Sequence, residues 1–163
     1  MTPRIALSGD TLEPYATAIT PTAETTDATC LVWLIDLTTV DTPRAARRRL
    51  KEHFRGLLAA STAHSGLRHV LVLYAHQDLV PARRVEPAAR SIASRLHAEI
   101  ERRRGRYVDV ILLDVTRCED LPLLDERIAE VALLRAGMAG DTALIWEDIR
   151  ERSIHSVVRA ERS

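Results

Sequence analysis

The sequence predicts an α/β fold: a single three-layer domain with a mostly parallel sheet of about four to five strands and helices on both faces. Three observations predict it. Residues 30–37 (CLVWLIDL), 69–78 (HVLVLYAHQD) and 107–115 (YVDVILLDV) are apolar series without regular polar alternation, so both faces of each strand must be covered, as in a parallel sheet. The segments between them place apolar residues at helical spacing. The resulting alternation of strand and helix is the pattern of a parallel sheet crossed by helices.

Taken in order, residues 1–27 form an N-terminal edge strand, Arg4 to Leu7, or a mobile arm. A Ser8-Gly9-Asp10 turn, too short for a phosphate loop, leads into a weakly patterned Thr/Ala/Pro-rich stretch. Residues 28–148 are the core domain. Its first strand ends in Asp36 and Thr38. Thr42 and Pro43 then supply a cap and a first-turn proline for a helix to about Ala60, with Ala46, Leu50, Phe54, Leu57 and Leu58 on one face. His53 falls at the edge of that stripe as a partly packed residue, and His64 lies in a loop over 61–66.

The central strand, 69–78, breaks off into Ala75, His76, Gln77 and Asp78. A second helix starts near Glu86-Pro87, buries Ala88, Ala89, Ile92, Leu96 and Ile100, and stops by Gly105, where the basic run 102–106 suits the negative end of the helix dipole. The strand over 107–115 ends in Asp114 and Thr116. A third helix follows Pro122 with Leu124, Ile128, Val131, Ala132 and Leu134, and Asp141 opens a strand over 142–146 with Glu147 and Asp148 beyond it. Residues 149–163 are a tail docked by Ile154, Val157 and Val158, with His155 exposed.

Composition bounds the function. At 163 residues the chain suits one domain with a real core, built from Leu, Val, Ile and Ala because aromatics are 4%. No apolar run approaches a membrane span and the N-terminus carries no export pattern, so the expected location is cytoplasmic with no membrane partner. Cys30 and Cys118 have no metal-ligand spacing and read as buried thiols. Net charge is zero but segregated. Residues 44–106 hold 15 Arg/Lys against 5 Asp/Glu, a net of +10, and residues 1–43 and 107–163 each carry a net of −5. The expectation is that this middle is solvated or is neutralised by the acidic flanks. No aromatic platform interleaves with the arginines, so nucleic acid is not the expected partner. Dinucleotide, P-loop, serine-hydrolase and zincin motifs are absent from the sequence, and no cofactor is indicated.

Polar residues at strand ends carry the chemistry, because open α/β sheets bind ligands at the carboxyl edge. His76 is the candidate acid/base, metal ligand or anion donor, with Asp78 beside it as the second catalytic candidate. The plain alternative is a His that begins a loop and bonds a neighbouring carbonyl. Residues 34–43 (LIDLTTVDTP) and 112–122 (LLDVTRCEDLP) share one scheme: apolar strand, Asp, one residue, Thr, a short loop, then Asp-x-Pro opening a helix. Asp36, Thr38, Asp114 and Thr116 are therefore candidate ligand-binding residues, with Asp36 and Asp114 able to hold a divalent cation. Each Asp and Thr equally suits bonding to its own loop, with Asp41 or Thr42 and Asp120 as helix caps.

Over residues 70–114, VLVLYAHQD, a helix and then VDVILLDV resemble the opening unit of flavodoxin-like quinone reductases, and are similar to the start of small tetrapyrrole metal chelatases. The resemblance implies a flavodoxin/Rossmann-like sheet, and in the chelatases a strand-end His, here His76, that meets the metal. Leu79-Val80-Pro81-Ala82-Arg83 stands where the flavin enzymes carry a Ser/Asn-rich phosphate loop, and some 67 residues precede the unit. Two readings remain open. In one, a polar or anionic small molecule, with or without a divalent cation, sits at the strand ends and His76 acts on it. In the other, a non-catalytic domain self-associates as a homo-oligomer or docks a partner through basic helices and acidic flanks.

Overall fold

Five parallel strands form one sheet in the order β1-β2-β3-β4-β5. They are β1 (Ile5–Gly9), β2 (Cys30–Leu37), β3 (His69–His76), β4 (Asp109–Asp114) and β5 (Asp141–Ile145). The structure, a computed structural model, describes residues 2–22 and 27–163; residues 23–26 of the Thr/Ala/Pro-rich stretch lie outside the described residues. The N-terminal segment is an edge strand, with Ile5 opposite Cys30.

The helices are α1 (Tyr15–Ala18), α2 (Pro43–Glu52), α3 (Phe54–Ala63), α4 (Ala82–Arg104), α5 (Leu121–Ala132), α6 (Trp146–Ile149) and α7 (Ile154–Glu161). Alternation along β2 shows how they are shared between two faces. Cys30, Val32 and Leu34 pack toward α1, α5, α6 and α7, whereas Leu31, Ile35 and Leu37 pack toward α2, α3 and α4. The expected three layers are present. The strand order runs straight through, without the reversal of the flavodoxin order 2-1-3-4-5 or of the classical dinucleotide-binding order. Stepping always the same way while using both faces means that two connections cross with one hand and two with the other, so one pair departs from the right-handed rule.

Several boundaries differ from expectation for local reasons. The helix expected to run from Pro43 divides at His53 into α2 and α3 and continues to Ala63, so Ser61 is helical and His64 is its buried C-cap. Helix α4 begins at Ala82, well before Pro87. Pro87 is exposed on the solvent side of the helix, and the turn before it buries Val85 completely. The tail is the helix α7, and His155 is half-buried, its Nδ1 within 3.0 Å of the Met138 carbonyl. Cys30 is buried, which pushes its thiol up to about 12, but Cys118 is only half-buried.

Charge follows the layers. The basic middle of the sequence supplies α2, α3 and α4 on one face, while α1, α5, α6 and α7, from the acidic segments, cover the other. Among the described residues Asp10 alone reaches from an acidic flank to an arginine of the basic layer, bonding Arg49 at 3.1 Å. The acidic flanks therefore do not neutralise the basic helices. No helix among the described residues is long and apolar enough to cross a membrane.

Candidate functional site

Between β3 and β4 the chain parts. It leaves β3 toward α4 on one face and β4 toward α5 on the other. Loops that diverge in this way leave a crevice at the carboxyl edge, and a cavity of about 100 Å³ lies there, lined by His76, Asp78, Asp114, Thr116, Arg117 and Glu147 with the chain from Val80 to Ala82. That space suits one phosphate or carboxylate group, since drug-sized ligands need roughly 300 Å³ or more.

His76 and Asp114 face the α4 side as the next positions after Tyr74 and Leu112 in the strand alternation. The His76 Nε2 lies 2.7 Å from Asp114 Oδ2, and both side chains are only 4% exposed. The other ring nitrogen, Nδ1, is 2.8 Å from the Gln77 carbonyl. A carboxylate and a carbonyl both accept, so the ring satisfies both at once only as the imidazolium, with both nitrogens donating. Burial opposes its charge, but the hydrogen bonds to Asp114 and to Gln77, with the charges of Asp114 and Asp78, outweigh burial and raise the pKa above its ordinary value. Thr116 closes the arrangement. Its Oγ1 accepts from the His76 amide at 3.0 Å and donates to Asp114 Oδ1 at 2.6 Å, while its own amide donates to the same oxygen at 2.9 Å.

The structure thus brings together four of the six predicted site residues. Asp114 rather than Asp78 is the partner of His76; Asp78 is exposed at the cavity mouth. Asp36 and Thr38 do not join them. Asp36 alternates onto the α1 side, and β3 stands between it and Asp114, about 10 Å of sheet away. The cation pair Asp36 and Asp114 is accordingly not assembled, and no group of three metal-ligating residues occurs among the described residues. With both ring nitrogens turned to protein acceptors, His76 also does not present the metal-facing nitrogen that the chelatase resemblance implied.

The repeated sequence scheme is real but local. Asp36 Oδ1 accepts from the Thr38 amide at 2.8 Å and its hydroxyl at 2.5 Å, the same turn that Asp114 makes with Thr116. Thr42 and Asp120 cap α2 and α5. The β1 and β2 ends also diverge to opposite faces, and there Asp10 occupies the fork, its Oδ2 accepting from the Asp36 amide, Arg49 and His53 at 2.9, 3.1 and 3.1 Å. The turn that delivers Asp10 needs Gly9, whose φ is +99° and where a Cβ would lie 2.4 Å from the Leu34 carbonyl oxygen.

Three contributors were not singled out from sequence. The start of α4, expected at Glu86, lies at the cavity instead; it has no side-chain cap and no acid in its first turn, and carries Arg83 and Arg84 at the end where the helix dipole disfavours cations. Arg117 stands at the mouth, 3.9 Å from Glu147. Tyr74 is fully buried opposite Asp114 with no hydrogen-bond partner for its hydroxyl among the described residues. Desolvation, then the charges of Asp114 and Glu86, raise its pKa well above the usual phenol value. Comparison with known proteins finds no matching family model, curated relative or solved structure.

Proposed function

We propose that the chain binds a small polar molecule carrying one anionic group, a carboxylate or phosphate, in the crevice between β3 and β4, and that the His76–Asp114 pair holds or protonates it. The observation that carries this reading is a 2.7 Å ion pair, almost wholly desolvated, forming part of the wall of a cavity. Taking two such charges out of water costs several kcal/mol per ion before their attraction repays it. A buried histidine with a shifted pKa and a specific charge partner, lining a cleft, is a functional-site candidate on physical grounds.

The lining is mixed in charge. The start of α4, which has no side-chain cap, and Arg117 border the cavity and favour an anion. Asp78, Asp114 and Glu147 border it too and oppose one, so the reading is limited to a ligand with a single anionic group. As the imidazolium, His76 has a proton to give, so a ligand atom that displaces one of its acceptors takes a hydrogen bond or a proton from the ring. Thr116 fixes the Asp114 carboxylate so that its other oxygen stays on the ring.

A thermal-shift screen of small carboxylates, phosphates and sugar phosphates tests this. At 100 times Kd a bound ligand adds about 2.7 kcal/mol, roughly 5–10 °C for a domain of this size. Wild type is expected to shift, and His76→Gln and Asp114→Asn to lose the shift. A shift retained undiminished in both variants, or no shift with any compound, contradicts the reading.

A further inference from the structure

We infer that the α2/α3/α4 face is a docking surface for the phosphate backbone of a nucleic-acid duplex. This does not rest on the crevice between β3 and β4. Of the four carboxylates of these helices, Glu52, Glu86 and Glu99 already pair with an arginine of their own helix, and Glu101 lies 3.6 Å from His97 Nε2. Arg44, Arg48, Lys51, Arg55 and Arg95 are exposed and, among the described residues, have neither an ion-pair nor a hydrogen-bond partner. The first four recur at spacings of four, three and four, which places them on one side of the nearly continuous α2–α3 rod.

The face is grooved as well as charged. A groove of about 520 Å³ beside Arg44, Arg48 and Lys51 shares Lys51 and Glu52 with one of about 500 Å³ containing Arg55 and Arg95, which shares Arg103 with a third of about 460 Å³ beside Arg106. The three form one trough. The α2–α3 rod is about 30 Å long at 1.5 Å per residue, close to one turn of a B-form duplex at about 34 Å. Arg95 is held over the Phe54 ring at 4.3 Å, so that guanidinium is ordered before any partner arrives.

Charge complementarity selects the occupant. A second copy would have to offer its own acidic layer, but there the carboxylates alternate with arginines, as in Glu126-Arg127, Arg150-Glu151-Arg152 and Glu161-Arg162, and three of them are paired: Glu130 with Arg127, Glu147 with Arg117, Glu119 with Arg150. That layer presents no unbroken acidic row to set against the row of Arg44, Arg48, Lys51 and Arg55. The acidic layer also lies across the sheet, about 20 Å away, beyond a Debye length of about 8 Å at physiological salt. It therefore does not repel a polyanion on the far face. The one aromatic ring in the trough is covered by Arg95, which leaves phosphates rather than stacked bases as the feature recognised.

Fluorescence anisotropy with labelled DNA and RNA duplexes of about two helical turns tests the inference, using the full chain. With about five phosphates neutralised, log K falls against log salt with a slope of about −4.5, an affinity loss of about 500-fold between about 50 and 200 mM salt. The combined variant Arg48→Glu, Arg55→Glu, Arg95→Glu is expected to abolish binding with its circular dichroism unchanged. Arg48→Gln is expected to lower the slope by about 1, and His76→Gln to bind as wild type does. The inference is overturned if neither duplex binds at the lower salt, if the triple variant binds undiminished, or if sedimentation shows that the triple variant loses self-association instead.

Discussion

His76 and Asp114 show how much a single residue's role depends on its neighbour. In the pair, His76 differs from an isolated imidazole chiefly in when it titrates. Because the folded pKa of His76 is raised, the ring stabilises the fold fully below its ordinary value near 6.5 and loses that contribution as pH rises through the folded value. Urea unfolding of wild type and His76→Gln should therefore show a stability difference that shrinks as pH is raised from about 6.5 into the alkaline range; a difference that grows over that window contradicts the assigned imidazolium. In the sequence, His76 at the end of an apolar run was legible as a candidate, as were Asp114 and Thr116, and the structure brings these three together. Their pairing was not, because it depends on β3 and β4 being neighbours and on side-chain parity, neither of which the sequence states. The same parity separated Asp36 and Thr38 from the site although they share the Asp-x-Thr scheme. Asp78 is two residues from His76 in sequence but is exposed at the cavity, and the hydrogen bond goes to the residue on the neighbouring strand.

At the scale of elements, unbroken apolar series were sufficient to locate β2, β3 and β4, because strands buried on both faces have no alternation to misread. Helix starts were legible where a cap and a proline coincide, as at Thr42-Pro43 and Asp120. At α4 the same rule misplaced the start, since Pro87 sits inside the helix and not in its first turn. An interior proline costs about 3 kcal/mol in a helix, and complete burial of Val85 before it returns about 1.5–3 kcal/mol. Those magnitudes make the extra turn tolerable. Pro87→Ala is expected to raise stability by about 2–2.6 kcal/mol, the helix gain less about 0.4–1 kcal/mol for a freer unfolded chain, measured as a higher urea midpoint at unchanged slope. A lower midpoint would mean that the proline, not Val85, sets the position of the turn that borders the cavity.

The whole molecule is organised by two forks and two layers. A straight strand order with helices on both faces makes neighbouring loops diverge twice, between β1 and β2 and between β3 and β4; Asp10 occupies the first fork and the His76–Asp114 cavity the second. The sequence predicted three layers but not this order, because periodicity reports burial and is silent on which strand lies beside which. Charge segregation was visible in the sequence as +10 between two segments of −5, yet its meaning depended on the fold placing the acids across the sheet. Two separate surfaces result, one small and partly enclosed, one long and basic. The most direct measurement is a backbone NMR titration with the compound that gives the largest thermal shift. Shift changes are expected to concentrate at His76, Ala82, Arg83, Asp114 and Arg117, with the His76 ring resonances moving in step. Changes confined to Arg44, Arg48 and Arg55, or spread evenly over the surface, would contradict a binding site between β3 and β4.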